Sequence, residues 1–229
     1  MSRPGALSDR TLDKILQGVP VTLKDDRELT SPMSPAPVGR IRVWRGTGTV
    51  VKVVNVSLVV PPIGLDSHMI FAFTAPDSGV PHFTLDAVAN GDNYAFHLDL
   101  IPRVDLATSL SYLDTVFEPL TEIYTEVRGR EGLTPAHLTP RQYALMSPWM
   151  LVSRATAAAF EGIGDAVDGY LGHWLSLLSS SITGIDTARD AQHRALLFSP
   201  AIDPVWSQTE RLLGREQSES VRLELVSNE

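Results

Sequence analysis

The sequence predicts a single α+β domain built on an antiparallel sheet. Three observations carry this. Short strand-like runs at hairpin spacing fill residues 40–105. Helical periodicity takes over after Pro102. The two kinds of segment do not alternate, which argues against a parallel βαβ architecture. The 229 residues suffice for one large domain or two small ones. We divide the chain into an N-terminal helix and irregular link (1–39), an antiparallel sheet (40–105) and a mainly helical cover (106–229).

Ser8 to Gln17 reads as a short helix capped by Ser8, with Leu12, Ile15 and Leu16 near one face. Leu29 to Gly39 carries Pro32, Pro35 and Pro37 and reads as an irregular link. Arg40 to Trp44 alternates as a strand does, and Gly46-Thr47-Gly48 is a turn. Thr49 to Val60 is rich in valine and apolar on both parities, as expected of a central strand covered on both sides. His68 to Thr74, Pro81 to Val88 and Tyr94 to Leu100 follow with short connections, giving a sheet of about five or six strands. Tyr112 to Val127 has a helical apolar stripe that Pro119 should kink or restart. Helices are further expected over 138–150, broken by Pro140 and Pro148, and over 153–160, 165–181, 187–198 and 203–225. Asp203-Pro204 resembles a helix start, and Gly214 breaks the last helix in two.

A formal net charge of −8 argues against a nucleic-acid partner and an anionic membrane surface. The absence of cysteine removes disulfides, thiolate nucleophiles and Cys-held metals. No signal-like segment or spanning apolar run is visible, and a cytoplasmic location is expected. Arg45-Gly46-Thr47-Gly48 lies between strands, the wrong context for a phosphate loop, so no bound cofactor is expected.

The chemistry concentrates in 68–105. This stretch holds His68, His82 and His97, three of the six histidines, with Asp86 and Asp99. Ionisable groups inside apolar strands are costly to bury unless paired. Period two puts His82, Thr84 and Asp86 on one face of their strand, where one or both other histidines could converge on them. Such a carboxylate–imidazole pair can deliver and remove protons. The alternative is that His82 caps the turn after Pro81 and Asp86 pairs with a surface base. His97-x-Asp99 is too sparse for a metal site; Asp99 is expected to bridge Arg103 at a strand end. Asp190 and Arg194 form an i,i+4 pair expected at the surface. Tyr94, Phe96, Trp149 and Trp174 could line an aromatic pocket or fill the core. Thr84, Tyr94 and His97 are the substrate-binding candidates.

Phe71-Ala72-Phe73, Pro81-His82-Phe83-Thr84-Leu85-Asp86 and Leu98 to Leu106 resemble the central region of the red chlorophyll catabolite reductases. The chain is similar, more distantly, to the ferredoxin-dependent bilin reductases, whose Pro-x-Phe-Gly-x-Asp strand places an acid at Asp86 and a glycine where this chain has Thr84. The resemblance implies an α/β/α sandwich with substrate held between one sheet face and the C-terminal helices. It implies an enzyme without a cofactor of its own, taking electrons from external ferredoxin and protonating a linear tetrapyrrole. It implies catalytic roles for Asp86, a histidine at His68 and a second acid at Asp190, while His82 is the catalytic candidate that the strand pattern itself offers beside Asp86. A net charge of −8 would repel an acidic ferredoxin on average. The same acid/base pair could serve a non-redox lyase or isomerase on a phenolic compound, for example one releasing formaldehyde from a lignin-derived diol. A bilin or aromatic-ligand carrier without turnover is the remaining reading, and a homodimer is left open.

Overall fold

The computed structural model describes residues 2–180, 182 and 185–227. The described residues form one eight-stranded antiparallel sheet between two layers of helices. Its strands are β1 (Val21–Ser31), β2 (Ser34–Gly46), β3 (Val50–Val60), β4 (Leu65–Thr74), β5 (His82–Asn90), β6 (Asn93–Ile101), β7 (Leu133–Pro135) and β8 (Leu151–Ala155). They lie in the order β1-β2-β3-β4-β5-β6-β8-β7.

The sheet exceeds the expected five or six strands at both edges. The proline-rich 29–39 segment is not an irregular link; it is the end of β1, a tight turn and the start of β2. The β1–β2 ladder jumps from Leu29↔Gly39 to Ser31↔Ser34, and the β2–β3 ladder begins only at Gly39. Pro35 and Pro37 thus lie where no ladder needs their missing N–H. β1 is an outer strand carrying Lys24, Asp25, Asp26, Arg27 and Glu28, charges that discourage further edge pairing. At the other edge, 153–160 is not one helix. β8 pairs with β6, and Thr156 then caps a short helix. The local sequence favours a helix throughout, and strand pairing overrides it.

One layer comprises α1 (Arg3–Gly18), α2 (Leu110–Tyr112), α3 (Thr121–Arg128), α5 (Ala157–Glu161) and α6 (Gly164–Leu177) with their connections, and α4 (Pro140–Tyr143) lies in the link between β7 and β8. The helix α1 starts earlier than expected. Ser2, not Ser8, accepts from the Gly5 N–H, and Pro4 sits in the first turn, where its missing donor costs nothing. Between α2 and α3 the backbone passes through a π turn and then a 3₁₀ turn that contains Pro119. Of 138–150, only α4 is helical. Leu12, Ile15, Ile70, Phe83, Leu85 and Leu98 pack with Tyr170 and Trp174 in this layer's core. Phe96 and Trp174 are therefore core residues, and Trp174 donates to the Pro81 carbonyl at 2.8 Å.

The other layer comprises α7 (Thr187–Leu197), α8 (Val205–Leu213) and α9 (Arg215–Val226). Val54, Val56, Phe71 and Phe73 pack there against Phe198, Trp206, Leu212 and Leu225. β3 is covered on both sides, as its two apolar parities require. No helix among the described residues is long and apolar enough to cross a membrane.

Candidate active site

The β5–β6 hairpin turns at Asn90–Asn93, where Gly91 adopts φ +58°, a conformation glycine tolerates without steric cost. That turn fixes the register, and the register fixes the chemistry. Asp86 faces His97 on β6, Met69 on β4 faces Asp86, and Val152 on β8 faces His97. All four lie in one row on the sheet face covered by α7–α9. Asp86 Oδ2 lies 3.2 Å from His97 Nδ1. A carboxylate only accepts, so Nδ1 carries the proton in this contact and Nε2 is left for other work. Nε2 is buried and has no hydrogen-bond partner among the described residues.

The pair opens on a cavity of about 310 Å³ between the sheet and the C-terminal helices. Its walls are mostly apolar, with Met69, Phe71, Met146, Phe198 and Trp206 among them, and Asp203 is a further acid on the lining. Burial works against the charged form of His97, but the hydrogen bond and charge of Asp86, with Asp99 and Asp203 nearby, outweigh it and raise its pKa. Burial likewise raises Asp203, and the charge of Asp86 adds to this against a hydrogen bond from the Val205 N–H. Asp99, fully buried beside His97, is pushed up to about 6 by burial, partly offset by His97 and Ser147.

The other sequence candidates fall elsewhere. His82 and Asp190 meet, but in a sealed network. His82 Nδ1 accepts from the Thr74 N–H at 3.1 Å, so the proton is on Nε2, 3.3 Å from Asp190 Oδ1. Arg103 Nε lies 2.8 Å from the same oxygen. The Arg103 guanidinium also donates to Thr74 Oγ1 and the Ala75 carbonyl. Burial depresses His82 to about 3, with the charges of Arg103 and Arg194 adding to it against Asp190. Burial opposes ionisation of Asp190, yet His82, Arg103 and Arg194 hold it down to about 2. His82 and Asp190 do not line the cavity. The expected surface pair of Asp190 and Arg194 is in fact buried, with Arg194 4.2 Å from the Phe73 ring centroid. The expected Asp99–Arg103 bridge does not form. Asp99 accepts from the Ser147 N–H and hydroxyl, while Arg103 is turned to Asp190.

His68 does not converge with Asp86. It is one residue off the row, so the pleat turns it to the α1 face, where it lies 2.7 Å from Asp66 and against Gly5. Tyr94 is on that same side, packed on Phe160 with its hydroxyl bonded to Arg3. Trp149 stacks on Phe117 in the same layer. Thr84 is buried beside Asp99 in the register and does not line the cavity. Among the cavity residues the sequence did not single out as site residues are Met69, Met146, Asp203 and Trp206. Asp203 had a readable signal only as a helix start, and its carboxylate does accept from the Val205 N–H at 3.0 Å. No group of three or more His, Asp or Glu among the described residues is placed to hold a metal.

No family model matches the chain, and no curated protein matches it. Among solved structures it is similar to phytochromobilin synthase from tomato, determined in complex with biliverdin. The TM-score is 0.71 over 97% of this chain and 82% of that one, at 16% identity. The fold is bilin reductase-like. The expected antiparallel sheet with flanking helices is thus present, and the face covered by α7–α9 carries the cavity.

Proposed function

We propose that the chain is an enzyme of the bilin-reductase type that protonates a conjugated, largely apolar molecule held between the sheet and α7–α9. The observation that carries this reading is the Asp86–His97 pair opening on an apolar cavity. Asp86 holds Nδ1–H and stabilises the imidazolium, and Nε2–H is the proton to be given up. Asp203, kept protonated to higher pH than an exposed acid, is a second donor. In the reductase form, reduced ferredoxin supplies electrons one at a time, and each is matched by a proton from this group of residues. The substrate is then a linear tetrapyrrole. His82 and Asp190 hold the C-terminal layer in place and act on substrate only through it.

A second reading keeps the proton chemistry and drops the electron donor. It is favoured by size. About 310 Å³ is at the small end for ligand pockets and suits a phenolic molecule of one or two rings. The test of both is turnover of biliverdin and of phenolic diols, with and without reduced ferredoxin, in wild type, Asp86→Asn and His97→Gln. Biliverdin turnover that needs ferredoxin and is lost in both variants is the expected result. Turnover of a diol with no donor, lost in the same variants, replaces the reductase by a lyase. Biliverdin binding unchanged in both variants, with no turnover of either substrate, makes the protein a carrier.

A further inference from the structure

The row Met69–Asp86–His97–Val152 runs under more than one hollow. Beyond His97, Val152 lines a second cavity of about 170 Å³ at the β8 edge of the sheet, where Leu151 and Ser153 of the opposite parity line it too, together with Tyr124 and Arg128 of α3 and Tyr143. Met146 lines both cavities. Its backbone is pinned on either side. The Leu145 carbonyl lies 2.7 Å from His193 Nε2 on α7, and the Ser147 N–H donates to Asp99 Oδ2 at 2.9 Å. The side chain between these anchors is an unbranched thioether, the type of core side chain that changes rotamer at least cost. The two cavities differ in charge. Asp86 and Asp203 line the first, whereas the second is lined by Arg128, an exposed guanidinium whose hydrogen bond is to the Tyr124 hydroxyl at 2.6 Å. An anionic group is disfavoured in the first cavity and favoured in the second, around the β8 edge.

We propose that Met146 is a movable partition, and that the ligand of this site is an elongated conjugated molecule that displaces it and sets a terminal carboxylate against Arg128. This rests on the functional reading above and extends it. It explains how a cavity of about 310 Å³ serves a molecule longer than itself. It also assigns the substrate a polarity, with the neutral reacting end at His97 and the acid end at Val152 and beyond.

The test is a calorimetric binding series on the full chain. The probes are trans-stilbene-4-carboxylate, its neutral isostere trans-stilbene-4-carboxamide, and 4-methylphenol, which is short enough for the first cavity alone. Wild type should bind the carboxylate about tenfold tighter than the carboxamide, the scale of one charge-assisted hydrogen bond pair. Arg128→Gln should erase that difference. Met146→Trp should weaken both long probes at least about tenfold and more than it weakens 4-methylphenol, while Met146→Ala should tighten the long probes. If Met146→Trp does not fold, Met146→Ala and Arg128→Gln decide the matter. Long probes that bind Met146→Trp as wild type does, or are no tighter in Met146→Ala, overturn the partition. A carboxylate with no advantage in wild type overturns the anionic subsite. If no probe binds, short or long, the proposal is overturned, and biliverdin binding measured on the same protein then decides separately whether the functional reading falls with it.

Discussion

Two histidine–aspartate pairs stand on the same sheet face, one starting at His82 on β5 and one at His97 on β6, and their surroundings give them opposite characters. Asp190 answers Arg103 as well as His82, so its charge is already matched and His82 stays neutral, with Nδ1 occupied by a backbone N–H. Asp86 lies within hydrogen-bonding distance of His97, two further acids lie near the ring, and the imidazolium is favoured. The first pair is surrounded by the side chains of Phe73, Thr74 and Arg103, and the second faces a cavity. An imidazole beside a carboxylate is therefore not yet a site. What decides it is whether the carboxylate has another cation to satisfy and whether the far nitrogen has somewhere to send a proton.

The largest way to break this comparison is Asp190→Asn. It leaves Arg103 and Arg194 without their buried counter-charge, and it should cost about 3–5 kcal/mol of unfolding free energy by urea titration. Asp86→Asn, at a partly open pair, should cost no more than about 1 kcal/mol in the same titration. Equal costs would mean that both pairs are structural. Next in size is turnover. His97→Gln should lower it by about 10²–10⁴-fold with the fold intact, the usual worth of a positioned general acid.

The pH dependence of stability separates the pairs by sign. The folded-state pKa of His82 falls from 6.5 to about 3, so between those values the unfolded chain binds a proton that the folded chain refuses. Stability should fall as pH falls across that window, by about 1.4 kcal/mol per pH unit from this group, and His82→Asn should flatten the slope. Asp190, lowered from 3.8 to about 2, adds stability present above 3.8 and lost as pH falls through about 2. His97 is raised, so its contribution is complete below 6.5 and is lost as pH rises through the raised value. The smallest expected effect is at the third pair. His68→Ala, on the α1 face beside Asp66, should change stability by about 1 kcal/mol or less and leave turnover unchanged. Lost turnover there would move the site to the other side of the sheet.

The sequence made the hairpins of β4 to β6 legible because period two and short turns are local signals. It brought Asp86 within reach of His97 for the same reason. It could not decide which histidine meets Asp86, His68 or His97, since one residue of register across β4–β5 separates the two faces, and only Met69↔Asp86 settles it. The charged β1 and the five residues of β8 are strands because of their partners, not their composition. Asp203 and Met146 come to the cavity from connections far along the chain, with no spacing to announce them. His82 and Asp190 were both visible as candidates, but Arg103, which silences them, was expected to serve Asp99 instead.

The most direct test is imidazole ¹⁵N NMR across pH 4–8, with and without biliverdin. The His97 signal should titrate above 6.5 and shift when the ligand is added, while His82 stays neutral throughout and does not respond. A His82 signal that titrates or moves with ligand, or a His97 signal indifferent to it, would contradict the assignment of the site to the β5–β6 pair.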